Sequence, residues 1–259
     1  MGERRTGFIH AEGTAFRAWP VLIAVLAIVG VPLLSQTIVD FAEHFTSLPE
    51  RPQMPWIRDS YDHAAQFVLA LAAIAMLKPA TRIDHGLHLP PGKSYLGSAI
   101  LWGLVLGALM ALATYWPEIA ARHIPADKPY PPDDFNIAGW FAYRGGVEPV
   151  SDEVLCRGLL VAWLGAMLPG RIVLGPYGVS AGGVIVAALF AMGWLFNFVI
   201  QPFGVALGEI LCVFLMGLVY AYWFDRSRSL LAPIVGHGIA GAVQVAAVFG
   251  MVLLWQHPH

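Results

Sequence analysis

The sequence predicts an all-α fold, a polytopic transmembrane helical bundle with seven or eight spans. Of its 259 residues, 58% are hydrophobic and only 12% are charged, whereas soluble domains are about 25% charged. Apolar stretches that suit a membrane-spanning helix, which needs about 20 residues, recur along the chain. The net charge of −2 offers no basic surface for nucleic acid. Membrane lipid is therefore the expected partner, and nucleic acid is not.

The fourth apolar segment decides between seven spans and eight. It is long, it contains charged residues, and it is interrupted by Gly145, Gly146 and Pro149. Because Pro149 lacks a backbone donor and its ring clashes with the carbonyl four residues earlier, we expect a kink or break just before Asp152. The predicted spans are 19–39, 61–77, 95–116, 136–168, 180–200, 206–224 and 230–255.

The predicted spans form one membrane domain in two halves. Residues 1–123 contain three spans, and residues 124–135 form an extended proline-rich loop. Residues 136–255 form a C-terminal bundle that bears the polar site, and we expect the chemistry to be confined to this half.

Basic residues indicate the orientation, because cytoplasmic loops carry an excess of lysine and arginine. If the spans alternate, the N-terminus and the loops after the second and sixth spans lie on one side, the cytoplasmic one. The first span exceeds the core of a signal peptide and is expected to stay as an anchor. The predicted location is a bacterial-type inner or plasma membrane with a cytoplasmic N-terminus. The basic residues expected on the cytoplasmic side are Arg4, Arg5, Arg17, Lys78, Arg82, Lys93, Arg226 and Arg228.

Three ionisable residues, Asp152, Glu153 and Arg157, lie in the otherwise apolar fourth span. A charge at membrane depth costs about 2.5–3.5 kcal/mol even on insertion scales, so these side chains must face protein or a water-filled cavity. Glu153 and Arg157 are four residues apart and can pair on one helix face. Asp152 is rotated by about 100° and can serve as a general base. The alternative is an ion pair that only locks helices together.

His237, in the last span, is the second candidate centre. A buried histidine is either a hydrogen-bonded core residue or a catalytic one. Gln244 follows seven residues later on nearly the same helix face. Glu209 lies either in the site or at the membrane interface, and Asn197 either supplies a polar group or bridges helices.

Several common motifs are absent from the sequence. There is no H-E-x-x-H helix, no other tight cluster of metal ligands, no Walker loop and no G-x-S-x-G elbow. Cys156 and Cys212 lie in apolar segments and provide no disulfide framework. The sequence therefore predicts no metal and no other cofactor.

Three stretches of the C-terminal half, within residues 136–250, carry a resemblance. They are Asp152-Glu153-Val-Leu-Cys-Arg157-Gly-Leu-Leu, Phe190-Ala-Met-Gly-Trp194 and His237-Gly-Ile-Ala-Gly241. They resemble the three motifs of the CPBP family, which are two glutamates followed three residues later by arginine, Phe-x-x-x-His, and His-x-x-x-Asn. This family includes type II CAAX prenyl endopeptidases, lysostaphin-resistance-type proteins and bacteriocin self-immunity proteins.

The resemblance implies an intramembrane endopeptidase that activates water in a polar cavity. It implies Asp152 as the base, Glu153 and Arg157 as supporting residues, and His237 as the donor to the oxyanion. A protein or peptide substrate, or a partner segment, is the implied partner. The family is sometimes proposed to be metal-dependent, but no clear metal cluster is visible in this sequence.

The sequence departs from the family pattern at three positions. Aspartate stands for the first glutamate at Asp152, glycine for asparagine at Gly241, and Trp194 for histidine. An indole donates one hydrogen bond and has no basic nitrogen, although Asn197 one turn later could add a polar group. Two alternatives to an active peptidase stay open. They are an inactive relative that acts as a membrane-binding or immunity-type scaffold, and a small transporter or channel.

Overall fold

The computed structural model describes residues 9–13, 17–45, 54–125, 131–174 and 176–255. Within these ranges most residues are helical. Six helices are long and apolar enough to cross a membrane, so the chain is an integral membrane protein. The predicted count of seven or eight spans is not confirmed. The six are α1 (Ala18–Phe45), α2 (Pro55–Thr81), α3 (Leu96–Ala121), the segment Ala181–Ile200, α9 (Phe203–Ser227) and α10 (Leu231–Trp255).

The ends of these helices follow from local chemistry. Pro55 opens α2, a position where its missing N–H is not needed. Arg82, Arg122 and Arg228 end α2, α3 and α9 in the left-handed conformation, and each donates its backbone N–H to a carbonyl of the last turn. Ser180 begins α7 (Ala181–Met192) by accepting a hydrogen bond from the Gly183 N–H.

The fourth predicted span is one helical segment that alternates between α- and π-helix. It consists of α4 (Asp134–Ala142), a first π-helical stretch (Tyr143–Val147), α5 (Glu148–Glu153), a second π-helical stretch (Val154–Val161) and α6 (Ala162–Met167). The predicted irregularity before Asp152 therefore takes the form of a wide turn, and the segment is not divided into two helices. π-helical turns are frequent at functional sites because they re-aim side chains.

The first π-helical stretch packs directly on α10. A Cβ atom on Gly238 would overlap the carbonyl oxygen of Gly145, and one on Gly241 would overlap that of Arg144. The absence of side chains at these two positions lets the backbones touch. A similar close approach joins α3 to α10, because a Cβ on Gly107 would lie 2.8 Å from the Cα of Ala240.

A small antiparallel sheet was not predicted from the sequence. Strand β1 (Ile9–Glu12) pairs with β2 (Arg171–Leu174), and β2 pairs with β3 (Tyr177–Ser180). The strands have four residues each, too few for a clear alternation of apolar and polar residues. The backbone N–H of Ser180 donates to Asp225 at 2.7 Å and so ties the hairpin to α9.

Among the described residues, the two largest of four apolar clusters hold most of the bundle together. One joins α1, α2, the second π-helical stretch and α7, and the other joins α3, α7, α9 and α10. Large apolar side chains such as Leu26, Met76 and Val199 face outward, as contact with membrane lipid requires. The polar site lies between the two clusters, where α2, the fourth segment, α9 and α10 meet.

Two features of the predicted organisation stay predictions. Residues 126–130 of the proline-rich loop lie outside the described residues, and so do Arg4 and Arg5, on which the cytoplasmic position of the N-terminus depends. The residues of the loop that are described, 124–125 and 131–133, are not helical.

The contact between Gly241 and Arg144 predicts a clear stability difference. Gly241→Ala forces a methyl group against the Arg144 carbonyl, and overpacking of this kind costs about 1–3 kcal/mol. Gly250→Ala on the same helix is the control, because a Cβ there meets no atom within 4 Å. Thermal unfolding in detergent should show a lower Tm for the first variant only. Equal Tm values would contradict the close packing.

Candidate active site

A buried carboxylate and a buried guanidinium meet a partly buried imidazole at the centre of the bundle. Glu153 Oε1 accepts a hydrogen bond from Arg157 Nη1 at 3.0 Å and lies 3.0 Å from His237 Nδ1. Arg157 Nη2 also donates to the Gly217 carbonyl of α9 at 3.0 Å. Glu153 is 0% exposed and Arg157 is 2% exposed. The pairing predicted from the four-residue spacing is confirmed, and it joins the fourth segment to α9 and α10.

The ring of Tyr220 supports this cluster from α9. It stacks on His237 with ring centroids 5.5 Å apart and an interplanar angle of 26°. The Arg157 guanidinium lies over the same ring, 5.3 Å from its centroid. Since the Glu153 carboxylate only accepts hydrogen bonds, His237 Nδ1 carries the proton that it shares with Glu153. The ring is thus held in one orientation by stacking and in one tautomer by the carboxylate.

Asp152 points away from this cluster, as its position on the helix predicted. Its Oδ1 accepts a hydrogen bond from Gln66 Nε2 at 2.8 Å, and Gln66 also donates to Ser151 Oγ at 2.9 Å. His63 Nε2 lies 3.7 Å from the same Asp152 oxygen. Gln66 and His63 both belong to α2. The polar site therefore extends into the N-terminal half, beyond the half to which the sequence analysis confined it.

A small cavity lies between the two groups of polar residues. Its volume is about 40 Å³, and Asp152, Arg157 and His237 are among its lining residues. A water needs about 10–15 Å³ of such space, so the cavity has room for at least one. Among the described residues, Arg157 Nε and the Tyr220 hydroxyl are buried without a hydrogen-bond partner. Buried polar atoms normally have one, so the cavity is suited to hold water.

Two larger spaces adjoin this cavity. A lateral groove of about 750 Å³, walled by apolar residues of α1 and α7, has Gln66 and Asp152 in its lining. A polar cavity of about 420 Å³ is lined in part by Arg144, Asn197 and Glu209. Trp194 lines the small cavity, the groove and the polar cavity. The residue that departs from the second motif thus stands where the three spaces meet.

The auxiliary candidates lie around the polar cavity. Asn197 Nδ2 donates to Glu209 Oε2 at 2.6 Å, and Glu209 is buried. Glu209 is therefore the partner of Asn197 within the bundle, and its position relative to the membrane interface stays a prediction. Gln244 Oε1 accepts from Arg144 Nη2 at 3.0 Å, and Arg144 also forms an ion pair with Glu148.

Four functional candidates were missed by the sequence analysis. His63 falls inside the span predicted at 61–77, so the reasoning applied to His237 would have found it. Arg144 and Glu148 show the same four-residue spacing as Glu153 and Arg157. Gln66 could not be found, because it meets Asp152 from 86 positions away.

The structure also assembles a group of metal-ligating side chains that the sequence does not display. One ligand atom from each of His63, Glu148 and Asp152 lies within 4.8 Å of the others. They converge because α2 packs against α5. The sequence could not display this group, because His63 lies far from Glu148 and Asp152 along the chain.

The third motif position has a local explanation. Gly241 lies against the Arg144 carbonyl, and the side chain of an asparagine would have no room there. The glycine therefore allows α10 to pack closely against the π-helical stretch at Tyr143–Val147. Arg144, from that stretch, and Gln244, one turn after Gly241, are the polar residues that meet near this position.

The fold and site define an integral membrane helical bundle with a buried carboxylate and imidazole facing a small cavity. Residues 134–243 match the family model of type II CAAX prenyl endopeptidase Rce1-like proteins. This segment contains all three motif stretches and 110 of the 259 residues, and the resemblance to the CPBP family is confirmed for this part of the chain. No curated protein sequence and no solved structure matches the chain.

The Glu153–Arg157 pair predicts a strong and selective loss of stability. Arg157→Met leaves the Glu153 carboxylate buried without its guanidinium, which costs about 3–5 kcal/mol. Arg58→Met is the control, because Arg58 pairs with Asp40 at the surface, where such pairs contribute about 0–1 kcal/mol. Unfolding in detergent should therefore show a much larger loss in the free energy of unfolding for Arg157→Met than for Arg58→Met. Similar losses in the two would contradict a structural role for the buried pair.

Proposed function

We propose that the protein is an intramembrane endopeptidase of the CAAX-protease-like family, which hydrolyses a peptide bond in the small cavity. The observation that carries this proposal is that Asp152 and His237, from different helices, line one space large enough for water. The match of residues 134–243 to a peptidase family supports it. The remaining geometry supports a role for each residue.

Asp152 is the proposed general base. Its Oδ1 is held by Gln66, which leaves further lone pairs of the carboxylate to accept a proton from water. The base removes a proton from the water as the water oxygen attacks the substrate carbonyl carbon. Gln66 acts as a positioning residue, because a fixed carboxylate keeps the attacking water in place.

His237 is the proposed stabiliser of the oxyanion. With Nδ1–H directed at Glu153, the ring donates from Nε2 to the developing negative charge when it is in the imidazolium form. Glu153 and Arg157 hold the ring in place and are positioning residues. Donors that are oriented before the reaction begins stabilise the transition state at no further cost in reorganisation.

The lateral groove is the proposed route for the substrate. Its walls on α1 and α7 are apolar, and Asp152 lies in its lining. An apolar peptide segment moving within the membrane could enter here, while water reaches the site from the polar cavity lined by Asn197, Glu209 and Gln244. Asn197 and Glu209 then help to keep that path hydrated. Trp194, which lines both spaces, lies between the substrate groove and the polar cavity.

Cleavage assays in proteoliposomes test the role of Asp152. With candidate membrane peptides as substrates, Asp152→Asn should reduce kcat by about 10²–10⁴-fold, the usual contribution of a general base. Asp84→Asn is the control and should leave kcat unchanged. The side chain of Asp84 is half exposed and lies in the loop after α2. If Asp152→Asn cleaves as fast as the unchanged protein, Asp152 is not the base.

Trp194→His distinguishes an active enzyme from an inactive relative. Trp194 lines the cavity beside Asp152 and His237, so a histidine there would restore a basic nitrogen at the second motif position. If the unchanged protein is active, the variant should cleave at a similar or lower rate. If cleavage occurs only in the variant, the natural protein is an inactive relative that keeps the cavity for a partner segment.

A further inference from the structure

We propose that His63, Glu148 and Asp152 form a binding site for one divalent transition-metal ion between α2 and α5. The site uses an imidazole from the N-terminal half, which none of the three motif stretches contains. Metal binding by these residues does not depend on peptidase activity, so it can be tested without a substrate.

The distances suit three ligands of one ion. The three ligand atoms lie within 4.8 Å of one another, and His63 Nε2 is 3.7 Å from Asp152 Oδ1. That separation is too long for a hydrogen bond. Metal–nitrogen and metal–oxygen bonds are about 2.0–2.2 Å, so two ligands of one ion lie up to about 4.4 Å apart. Small side-chain movements would therefore complete the site.

The orientation of His63 also favours a metal. Its Nδ1 lies 2.9 Å from the backbone carbonyl of Asp59, and a carbonyl only accepts, so Nδ1 carries the hydrogen. In the neutral form of the ring, the form that binds metals, the lone pair of Nε2 is then directed toward Asp152. Metal-binding histidines usually donate their other N–H to a carbonyl or carboxylate in this way.

The two carboxylates are held by outer partners. Gln66 donates to Asp152, and Arg144 pairs with one oxygen of Glu148. The other oxygen of Glu148, Oε2, is buried and has no hydrogen-bond partner among the described residues. Glu148 is 91% buried, since its exposure is 9%. Since Arg144 contacts only Oε1, Oε2 is available to bind a cation, which would offset the cost of its burial.

The local charge favours a cation. Two carboxylates and an imidazole face each other, and within the part of the chain that the structure describes, the guanidinium paired with them is that of Arg144. The side chain of Asp59, four residues before His63 on α2, interacts electrostatically with both His63 and Glu148. An imidazole nitrogen with two carboxylate oxygens suits Zn²⁺, Mn²⁺ or Fe²⁺ better than the hard ion Ca²⁺.

A consequence for catalysis rests on the proposed function. Asp152 belongs to both the metal site and the small cavity. An ion bound there would lower the pKa of a water beside it. The ion would thereby help to activate the water, a role that Trp194 cannot fill because it has no basic nitrogen.

Metal binding to the full chain in detergent tests the site. After treatment with a chelator, the unchanged protein should bind one equivalent of Zn²⁺. His63→Ala should weaken the affinity by more than about 10–100-fold, since loss of an outer partner alone costs that much. Glu148→Gln should also weaken it. His88→Ala, which removes an exposed histidine paired with Asp84, is the control and should bind like the unchanged protein.

A spectroscopic variant separates ligation from folding. His63→Cys with Co²⁺ should show a thiolate-to-cobalt absorption band that the unchanged protein lacks, because the new sulfur then contacts the ion directly. The proposal is overturned if the unchanged protein binds no stoichiometric Zn²⁺. It is also overturned if His63→Ala retains full affinity, or if affinity is lost only in His237→Ala. Absence of cleavage with metal bound would count against the proposed peptidase and not against the metal site.

Discussion

The burial of the Glu153 carboxylate is the constraint on which the rest of the structure depends. A charged group removed from water is tolerated only when opposite charge and hydrogen bonds surround it. Glu153 Oε1 meets this requirement through Arg157 on its own helix and His237 on α10. Arg157 in turn bonds the Gly217 carbonyl on α9. The contacts of one carboxylate oxygen thus join three helical elements.

Close backbone contacts make this convergence possible. Glycines on α3 and α10 let the helices approach until backbone atoms touch, and Gly238 and Gly241 admit the first π-helical stretch. Asp152 and Glu153 are adjacent on α5 and differ by about 100° around the helix, so Asp152 faces α2 and Glu153 faces α10. Two adjacent carboxylates therefore enter different surroundings. Such a separation of roles is what acid–base chemistry requires of paired carboxylates.

Helix α2 contributes residues to the site that lie outside the segment that matches the family. Residues 134–243 match the family, yet His63 and Gln66, which contact Asp152, lie outside that segment. The chain lacks a histidine at the second motif position and has one on another helix near the same carboxylate. The chemistry proposed for the site is therefore a property of the whole bundle, in which residues of both halves surround one cavity.

The sequence by itself determined the membrane class, because apolar stretches and scarce charges are properties of composition and order alone. It also determined the Glu153–Arg157 pair, since residues four apart on a helix share a face, and the irregular helix near Gly145, Gly146 and Pro149. The count of seven or eight spans is not confirmed, and the four-residue strands were missed.

Only the tertiary structure decided which distant residues meet. The contact between Gln66 and Asp152, the partnership of Asn197 with Glu209, and the convergence of His63 with Glu148 all depend on how helices pack. Helix packing is set by the fit of many side chains and by close approach at glycines. A linear pattern shows which face a residue occupies, but not which other helix that face will meet.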